Sequence, residues 1–124
     1  RFHGFDPHPE EAFRAVDVFV YPSDYDPFGM VASEAMATGL PVIVGKDIGA
    51  AELVTPGVNG LVCDPADDRT IHSGLDQLMK SPSEARKLGA RARETILECS
   101  WDHCADCTFA VYEQVVARRS SQHS

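Results

Sequence analysis

The sequence predicts an α/β fold in which helices flank a Rossmann-like parallel sheet. Three short runs of β-branched and aromatic residues, at 18–21, 41–44 and 61–63, indicate buried strands. Segments with helical spacing of apolar residues separate and follow these runs, and this alternation is typical of a parallel sheet. The chain of 124 residues is long enough to bury one hydrophobic core.

The first elements are expected to be a strand, a helix and a second strand. A strand is predicted over Arg1–Phe5, followed by a proline-containing turn. Pro9–Val16 is predicted to form a short helix whose apolar face consists of Ala12, Phe13 and Val16. The run Val18–Tyr21 is expected to be a strand covered on both faces, and Pro22 ends it.

A loop, a helix and two more strands follow. The polar loop at 22–29 leads into Met30–Thr38, which favours helix, and Gly39 suits its C-terminal end. The next strand is Pro41–Val44, and a loop with a short helix is predicted over 48–54. A turn at 59–60 precedes the strand at 61–63.

The last part of the chain is predicted to be helical. Residues 67–80 carry apolar residues at helical spacing: Ile71, Leu75, Leu78 and Met79. Ser81 and Glu84 match a capping box with Pro82 in the first turn, before the buried stripe Leu88, Ala92 and Ile96. A final helix is expected from about Ser100, with apolar positions Phe109, Tyr112 and Val116. We expect one partial domain over 1–117 and a polar, frayed tail over 118–124.

Composition excludes some classes of partner. A formal net charge of −8 opposes binding to nucleic acid, which requires a dense basic face. No apolar run approaches the roughly 20 residues that span a bilayer, and the first residues lack the layout of a signal peptide. We therefore expect a cytoplasmic protein. Because the chain does not start with Met, we expect it to begin inside a longer parent.

The four cysteines fall into two groups. Cys63 belongs to a predicted strand, where a thiol packs as a small hydrophobe. Cys99, Cys104 and Cys107 lie near His103, which fits either a metal site or free thiols on a helix. There is no second pair at zinc-ligand spacing, so the sequence favours reduced thiols and predicts neither a metal nor a cofactor.

The loop at 22–29 is the best candidate for a binding site, because ligands of open parallel sheets bind beyond the carboxyl ends of the strands. The first N–H groups of the following helix, near Gly29, Met30 and Val31, lack partners inside the helix, and with the helix dipole they suit a diphosphate. Glu34, about one turn further on, suits the vicinal diol of a ribose. Asp26 suits the hydroxyl groups of a hexose.

These residues also have purely structural explanations. An Asp before a helix commonly caps it, and a Glu in the first turns is commonly solvated. Phe28 is as well explained as a core residue. The sequence chemistry by itself leaves both interpretations open.

An ordered series of motifs decides between them. It comprises Tyr-Pro-Ser at 21–23, Asp-Pro-Phe-Gly-Met-Val at 26–31, Ser-Glu-Ala-Met-Ala at 33–37 and Gly-Leu-Pro-Val-Ile at 39–43. The series continues through Gly49, Glu52, 59–62, 64–65 and 100–101. It resembles the glycosyltransferase group-1 family of retaining GT-B enzymes, which includes sucrose synthases, bacterial glycogen synthases and mannosyltransferases. The family signature is two glutamates separated by seven residues, and those positions hold Asp26 and Glu34.

The resemblance implies that the chain is the donor-binding part of a C-terminal GT-B domain. Glu34 would bind the nucleotide ribose, and Asp26 the donor sugar. Backbone groups from Phe28 through Gly29 and Met30 to Val31 would contact the sugar and the diphosphate. The implied partners are a nucleoside-diphosphate sugar and a missing N-terminal GT-B domain. The leaving diphosphate would accept the acceptor proton, so neither carboxylate is expected to act as a nucleophile.

Two departures from the family pattern limit this prediction. Asp26 is one methylene shorter than the usual Glu, and the family's phosphate-binding Arg and Lys would fall upstream of Arg1. We expect the chain alone to transfer no sugar. The alternatives are a non-catalytic nucleotide-sugar-binding or interaction module, and a hydrolase that uses Asp26 and Glu34 as acid and base.

Other surface features carry weaker expectations. Gly49 and Glu52 match a loop beside the family's donor site, but a structural role in the turn is equally consistent. The basic residues Arg86, Lys87, Arg91 and Arg93 fit a solvated helix face better than a membrane contact, although the parent is placed either free or peripheral at the inner face of a membrane. An uncovered sheet edge is expected to pair two copies into a homodimer.

Overall fold

A computed structural model describes residues 4–122, and the side chains of residues 4–119. The elements in chain order are α1 (Pro9–Arg14), β1 (Phe19–Tyr21), α2 (Met30–Ala37), β2 (Val42–Gly45), a 3₁₀ helix (Gly49–Leu53), β3 (Leu61–Cys63), α3 (Asp68–Lys80), α4 (Pro82–Glu98) and α5 (Trp101–Gln122). No helix within the described range is both long and apolar enough to cross a membrane.

The three strands form one parallel sheet in the order β1-β2-β3. Phe19 pairs with Val42 in the first ladder, and Ile43 pairs with Leu61 in the second. Every residue of β2 is buried, as expected for a central strand with helices on both faces. Because all strands run in the same direction, their carboxyl ends lie at one edge of the sheet.

Side chains alternate between two core layers on the two faces of the sheet. Val42 and Val44 pack with α2 on one face, where the buried helix residues are Ala32, Ala35 and Met36. Ile43 and Cys63 pack on the other face, with Leu78 of α3 and the α4 residues Ala85 and Leu88. This period-two alternation follows from strand geometry and fixes which helix covers which face.

Helix α2 ends in a Schellman motif, as the glycine at its end predicts. The Leu40 amide donates to the Ala35 carbonyl and the Gly39 amide to the Met36 carbonyl, with Gly39 at φ +83°. Helix α4 crosses at this end of α2, where Gly89 lies against Gly39. The carboxyl end of α2 is therefore fixed in the core.

Asn59 is a buried polar residue that ties the segment before β3 to α4. Its carboxamide accepts from the Thr55 amide at 2.7 Å and donates to the Leu53 carbonyl at 2.9 Å and to the Thr95 hydroxyl at 3.0 Å. The side chain thus satisfies its polar atoms without water, as burial requires.

The N-terminal predictions need correction. Gly4 and Phe5 form no strand, and the remainder of the strand predicted over 1–5 lies outside the described residues. Helix α1 ends at Arg14, and of its predicted apolar face only Phe13 is buried; Ala12 and Val16 are exposed. Strand β1 is half-buried instead of covered on both faces, because in the described chain it lies at an edge of the sheet.

The C-terminal helices depart further from the prediction. Met79 is exposed, and Gly74 instead lies buried against Ile43. The Ser81 side chain caps nothing, because Ser81 also ends α3 and its backbone is set by that junction. Helix α5 continues to Gln122, past the domain boundary predicted at 117–118. Phe109, Tyr112 and Val116 lie on α5 as predicted but are more than 60% exposed.

Candidate functional site

Two loops meet at the carboxyl edge of the sheet, as the parallel topology requires. The loop after β1 and the loop after β2 are joined by a parallel bridge between Asp26 and Ile48. The Gly49 amide donates to the Asp26 carbonyl at 3.4 Å, and the Ala50 amide to the Phe28 carbonyl at 2.6 Å. The two loops therefore form one backbone unit in front of α2.

Gly49 lets the two loops approach each other. A Cβ at this position would overlap the Pro27 carbonyl oxygen and stand 2.9 Å from the Phe28 Cα. No side chain fits there without moving the backbone. The structure thus supports a packing role for Gly49, one of the two roles that the sequence left open.

The Asp26 carboxylate is engaged by three donors of its own loop. One oxygen, Oδ2, accepts from the Tyr21 hydroxyl at 2.8 Å. The other, Oδ1, accepts from the Phe28 amide at 3.0 Å and the Gly29 amide at 2.5 Å. Asp26 therefore organises the loop, but it does not cap α2, whose N-cap residue is Gly29 and which has no side-chain cap.

These hydrogen bonds shift both pKa values in the pair. Asp26 has a lowered pKa, first because of the Tyr21 hydroxyl and then because of the Phe28 amide, with burial working in the opposite direction. The pKa of Tyr21 is raised, first by its hydrogen bond to Asp26 and then by burial. At neutral pH the pair is a carboxylate held by a protonated phenol.

Gly29 forms the entrance to α2 in a left-handed conformation, φ +79°. A Cβ on Gly29 would lie 3.0 Å from Ile48 Cδ1 and 3.4 Å from Tyr21 Cε1, so a side chain is disfavoured by both backbone and space. The Gly29 amide already donates to Asp26. Of the three amides predicted to be free at the start of the helix, those of Met30 and Val31 therefore remain. Neither amide has a protein acceptor within residues 4–122.

The other predicted site residues lie along the same helix entrance and face solvent to different degrees. Phe28 is 43% exposed, so it is neither a core residue nor fully solvated. Met30 is exposed and Val31 partly buried. Glu34 is exposed on α2, and its carboxylate makes no hydrogen bond or ion pair with any described residue. It is therefore available to a ligand.

A groove of about 530 Å³ opens between the two joined loops. It is lined by Asp26 on one side and by Lys46, Asp47 and Glu52 on the other. Glu34 does not line it. The two carboxylates therefore do not face each other across the groove, which opposes the hydrolase alternative.

Lys46, one of the groove-lining residues, forms an ion pair with Asp64. Lys46 Nζ lies 2.7 Å from Asp64 Oδ2, which joins the loop after β2 to the end of β3. The pKa of Lys46 is raised and that of Asp64 lowered, each first through the hydrogen bond to the other. Both side chains remain partly exposed, so the pair is a surface contact.

Sequence reasoning missed two partners at the site. The sequence places Tyr21 in a motif but predicts no function for it, and it does not single out Lys46. A phenol on the last residue of a strand, five positions before an acidic loop residue, is a usable signal for the first. The second depends on a contact across 18 positions, and no local pattern indicates it.

The cysteine-rich segment brings no metal site together. Cys99, Cys104 and Cys107 are exposed and free, whereas Cys63 is buried in β3 and burial raises its pKa. Cys107 Sγ lies 3.6 Å from His103 Nε2, one helical turn away. Across residues 4–122, no three His, Cys, Asp or Glu side chains gather in a way that would hold a metal ion.

The sequence model of the family described as "Glycosyl transferases group 1" matches residues 1–95. The chain belongs to the group 1 glycosyl transferases. The matched range contains the whole sheet, both joined loops and α2, so it includes all the predicted site residues.

Individual proteins are similar to this chain in sequence and in structure. An uncharacterized glycosyltransferase of Methanocaldococcus jannaschii is 35% identical over 105 residues, covering 84% of this chain and 27% of that protein. The sucrose-phosphate synthase of Thermosynechococcus elongatus superposes with a TM-score of 0.74 at 35% identity, over 86% of this chain and 27% of that one. The Anabaena protein HepE in complex with UDP-glucose gives 0.76 at 26% identity, over 98% and 32%.

These comparisons confirm the predicted family and the Rossmann-like α/β class of a GT-B domain. The chain spans about a quarter of the length of the curated relatives that it matches. The activity of a complete group 1 glycosyl transferase is therefore only a proposal for this chain.

Proposed function

We propose that this chain is the donor-binding part of a retaining glycosyltransferase, which transfers a sugar from a nucleoside-diphosphate sugar to an acceptor. The observation that carries the proposal is the pair of open amides on Met30 and Val31. They follow directly on Gly29, whose amide donates to the carboxylate of Asp26. They lie at the carboxyl edge of a parallel sheet, where ligands of such folds bind.

The diphosphate would bind at the start of α2. Two N–H groups without protein acceptors and the positive end of the helix dipole both favour an anion there. The amides of Phe28 and Gly29 donate to Asp26, so these two residues would contact the donor through the exposed Phe28 ring and the bare Gly29 backbone.

Glu34 would bind the ribose. It lies four residues beyond Met30, about 6 Å along the helix axis, which is close to one turn. An ionised carboxylate accepts hydrogen bonds on two oxygens and so matches two neighbouring hydroxyl groups. Its exposure and lack of a protein partner leave both oxygens open.

Asp26 would hold a hydroxyl group of the donor sugar. A carboxylate offers about four lone-pair positions, and three are used within the loop, so about one remains. The shorter Asp side chain fits this arrangement, because it accepts from the donors of its own loop and still has about one acceptor position unused.

In the transfer step, the bond from the sugar anomeric carbon to the diphosphate breaks and a bond to the acceptor oxygen forms on the same face. The acceptor proton passes to the leaving diphosphate, so no enzyme nucleophile or metal ion is required. Asp26 and Glu34 contribute by positioning the donor, and the α2 amides by stabilising leaving-group charge.

The parent protein supplies the remaining parts in this proposal. An N-terminal GT-B domain would bind the acceptor, and basic residues from upstream would complete the phosphate site, so the 124-residue chain alone transfers no sugar. We also propose a cytoplasmic parent that is free or peripheral at the inner face of the membrane. Pairing of the exposed edges of β1 or β3 would make this chain a homodimer, which light scattering tests directly.

A non-catalytic nucleotide-sugar-binding module is the second candidate. The three internal hydrogen bonds of Asp26 favour it, because they leave little of that carboxylate for a sugar. Sugar transfer by the full-length parent would exclude this candidate.

Calorimetric titration with UDP, GDP and ADP tests the donor site. The wild-type chain should bind at least one of them saturably, and Glu34→Ala should weaken that binding about tenfold or more, since charge-assisted hydrogen bonds are lost. Glu113→Ala, which removes the same charge from exposed α5, is the matched control. Equal loss in both variants, or no binding by the wild type, contradicts the proposal.

A further inference from the structure

Tyr21 lies against Asp26 and Gly29, the two residues that shape the entrance to α2, and the proposed donor binding does not itself use Tyr21. Its hydroxyl donates to Asp26 Oδ2 at 2.8 Å. Its ring edge lies beside Gly29, where a Cβ would stand 3.4 Å from Tyr21 Cε1. Tyr21 is also the last residue of β1, so the sheet itself fixes its backbone.

Two further aromatic residues, Phe19 and Phe13, support the Tyr21 ring in a row of ring contacts. Phe19 stacks on it, with ring centroids 6.1 Å apart and planes at 20°. Phe13, the buried residue of α1, meets Phe19 edge to face at 5.6 Å. A ring with such neighbours delivers its hydroxyl to a fixed position at little cost in side-chain entropy.

We propose that Tyr21 is a positioning residue of the donor site and that it acts through Asp26, whose carboxylate in turn fixes the residues ahead of the open amides of α2. The inference rests on the proposed function. Tyr21 itself does not contact the donor in this arrangement.

The two oxygens of the Asp26 carboxylate have different donors, and this explains how Tyr21 acts. Phe28 and Gly29 hold one Asp26 oxygen, and the phenol holds the other. Without the phenol, Oδ2 loses its donor, and only the two amides on Oδ1 still restrict rotation about the last side-chain bond of Asp26. The carboxylate and the turn that it holds ahead of Met30 and Val31 are then less firmly fixed, and a binding site needs such geometry to within about 0.5 Å.

The charged residues that share the groove with Asp26 do not depend on the phenol for a contact. Lys46, Asp47 and Glu52 line the same groove, and none of them bonds to Tyr21. Tyr21→Phe keeps the ring and its stacking. The variant therefore removes only the hydroxyl, whose side-chain partners are Asp26 and Ser23.

Two readouts follow from the Tyr21→Phe variant. NMR titration of the Asp26 side-chain carboxyl carbon should give a higher pKa than in the wild type, because a hydrogen bond to the charged form is lost. The affinity for UDP should fall about three- to tenfold. Tyr112→Phe, an exposed tyrosine on α5, should change neither quantity.

A double-mutant cycle separates positioning through Asp26 from a general structural effect. In the Asp26→Asn background, adding Tyr21→Phe should weaken UDP binding little further. An unchanged Asp26 pKa, or the same loss of affinity in both backgrounds, overturns the inference. If the wild type binds no nucleoside diphosphate, the donor function fails and the positioning role fails with it, while the carboxyl titration still shows whether Tyr21 holds Asp26.

Discussion

Gly89 of α4 packs directly on the Gly39 carbonyl group, and any Cβ at position 89 would overlap that oxygen. The contact fixes the crossing of α4 over the carboxyl end of α2. The opposite end of α2 carries the open amides of Met30 and Val31. A tight helix crossing at one end of α2 thus supports the candidate site at the other.

Gly89→Ala should destabilise the fold by about 1–3 kcal/mol, because the obstructing group is backbone and the helices must move apart. Urea unfolding followed by circular dichroism measures the change. Gly74→Ala is the matched control in α3. The nearest neighbour of its new Cβ is the Ile43 Cδ1 atom at 3.1 Å, a side-chain end that can give way. Equal midpoints for Gly89→Ala and wild type would show that the crossing is loose.

Truncation to Ala should cost far more at Leu88 than at Phe109, although both are apolar residues at helical spacing. Leu88 is 6% exposed and Phe109 67%. Leu88→Ala should cost about 2–5 kcal/mol. Phe109→Ala should stay within about 0.5 kcal/mol. Both are measured by denaturant unfolding, and a large cost for Phe109→Ala would mean that α5 packs on the domain.

The Lys46–Asp64 ion pair should make stability depend on pH at both extremes. The pKa of Asp64 lies below its ordinary 3.8, so its contribution is present above pH 3.8 and is lost as pH falls through the folded value. The pKa of Lys46 lies above its ordinary 10.5, so its contribution is lost only as pH rises through its higher folded value.

Asp64→Asn should therefore flatten the loss of stability below about pH 4, as measured by urea midpoints at a series of pH values. The control, Asp106→Asn, removes the same charge from exposed α5. An acid slope that is as steep in Asp64→Asn as in the wild type would show that the pair does not contribute.

Sequence alone predicted the elements whose patterns are local and complete. The runs around Val20, Ile43 and Val62 indicated a parallel sheet, and the glycine after α2 marked its end correctly. The ordered motifs from Tyr21 to Ile43 identified the family, which the match over 1–95 confirmed.

The remaining features depend on contacts that spacing does not encode. The direction of the Asp26 carboxylate is set by a phenol at the end of a strand and by two amides in the turn that leads into α2. The exposure of Phe109 depends on whether another surface covers α5, and a helical stripe does not contain that information. Ser81 fits a capping-box pattern, but the α3–α4 junction determines its backbone.

The most direct measurement follows the backbone amides by NMR while UDP is added to the chain. Met30 and Val31 should shift saturably and more than Phe28 and Gly29, whose amides already donate to Asp26. Shifts that are absent, or that centre on the separate groove beside α3 at Asp67, Ser73 and Gln77, would contradict a donor site at the start of α2.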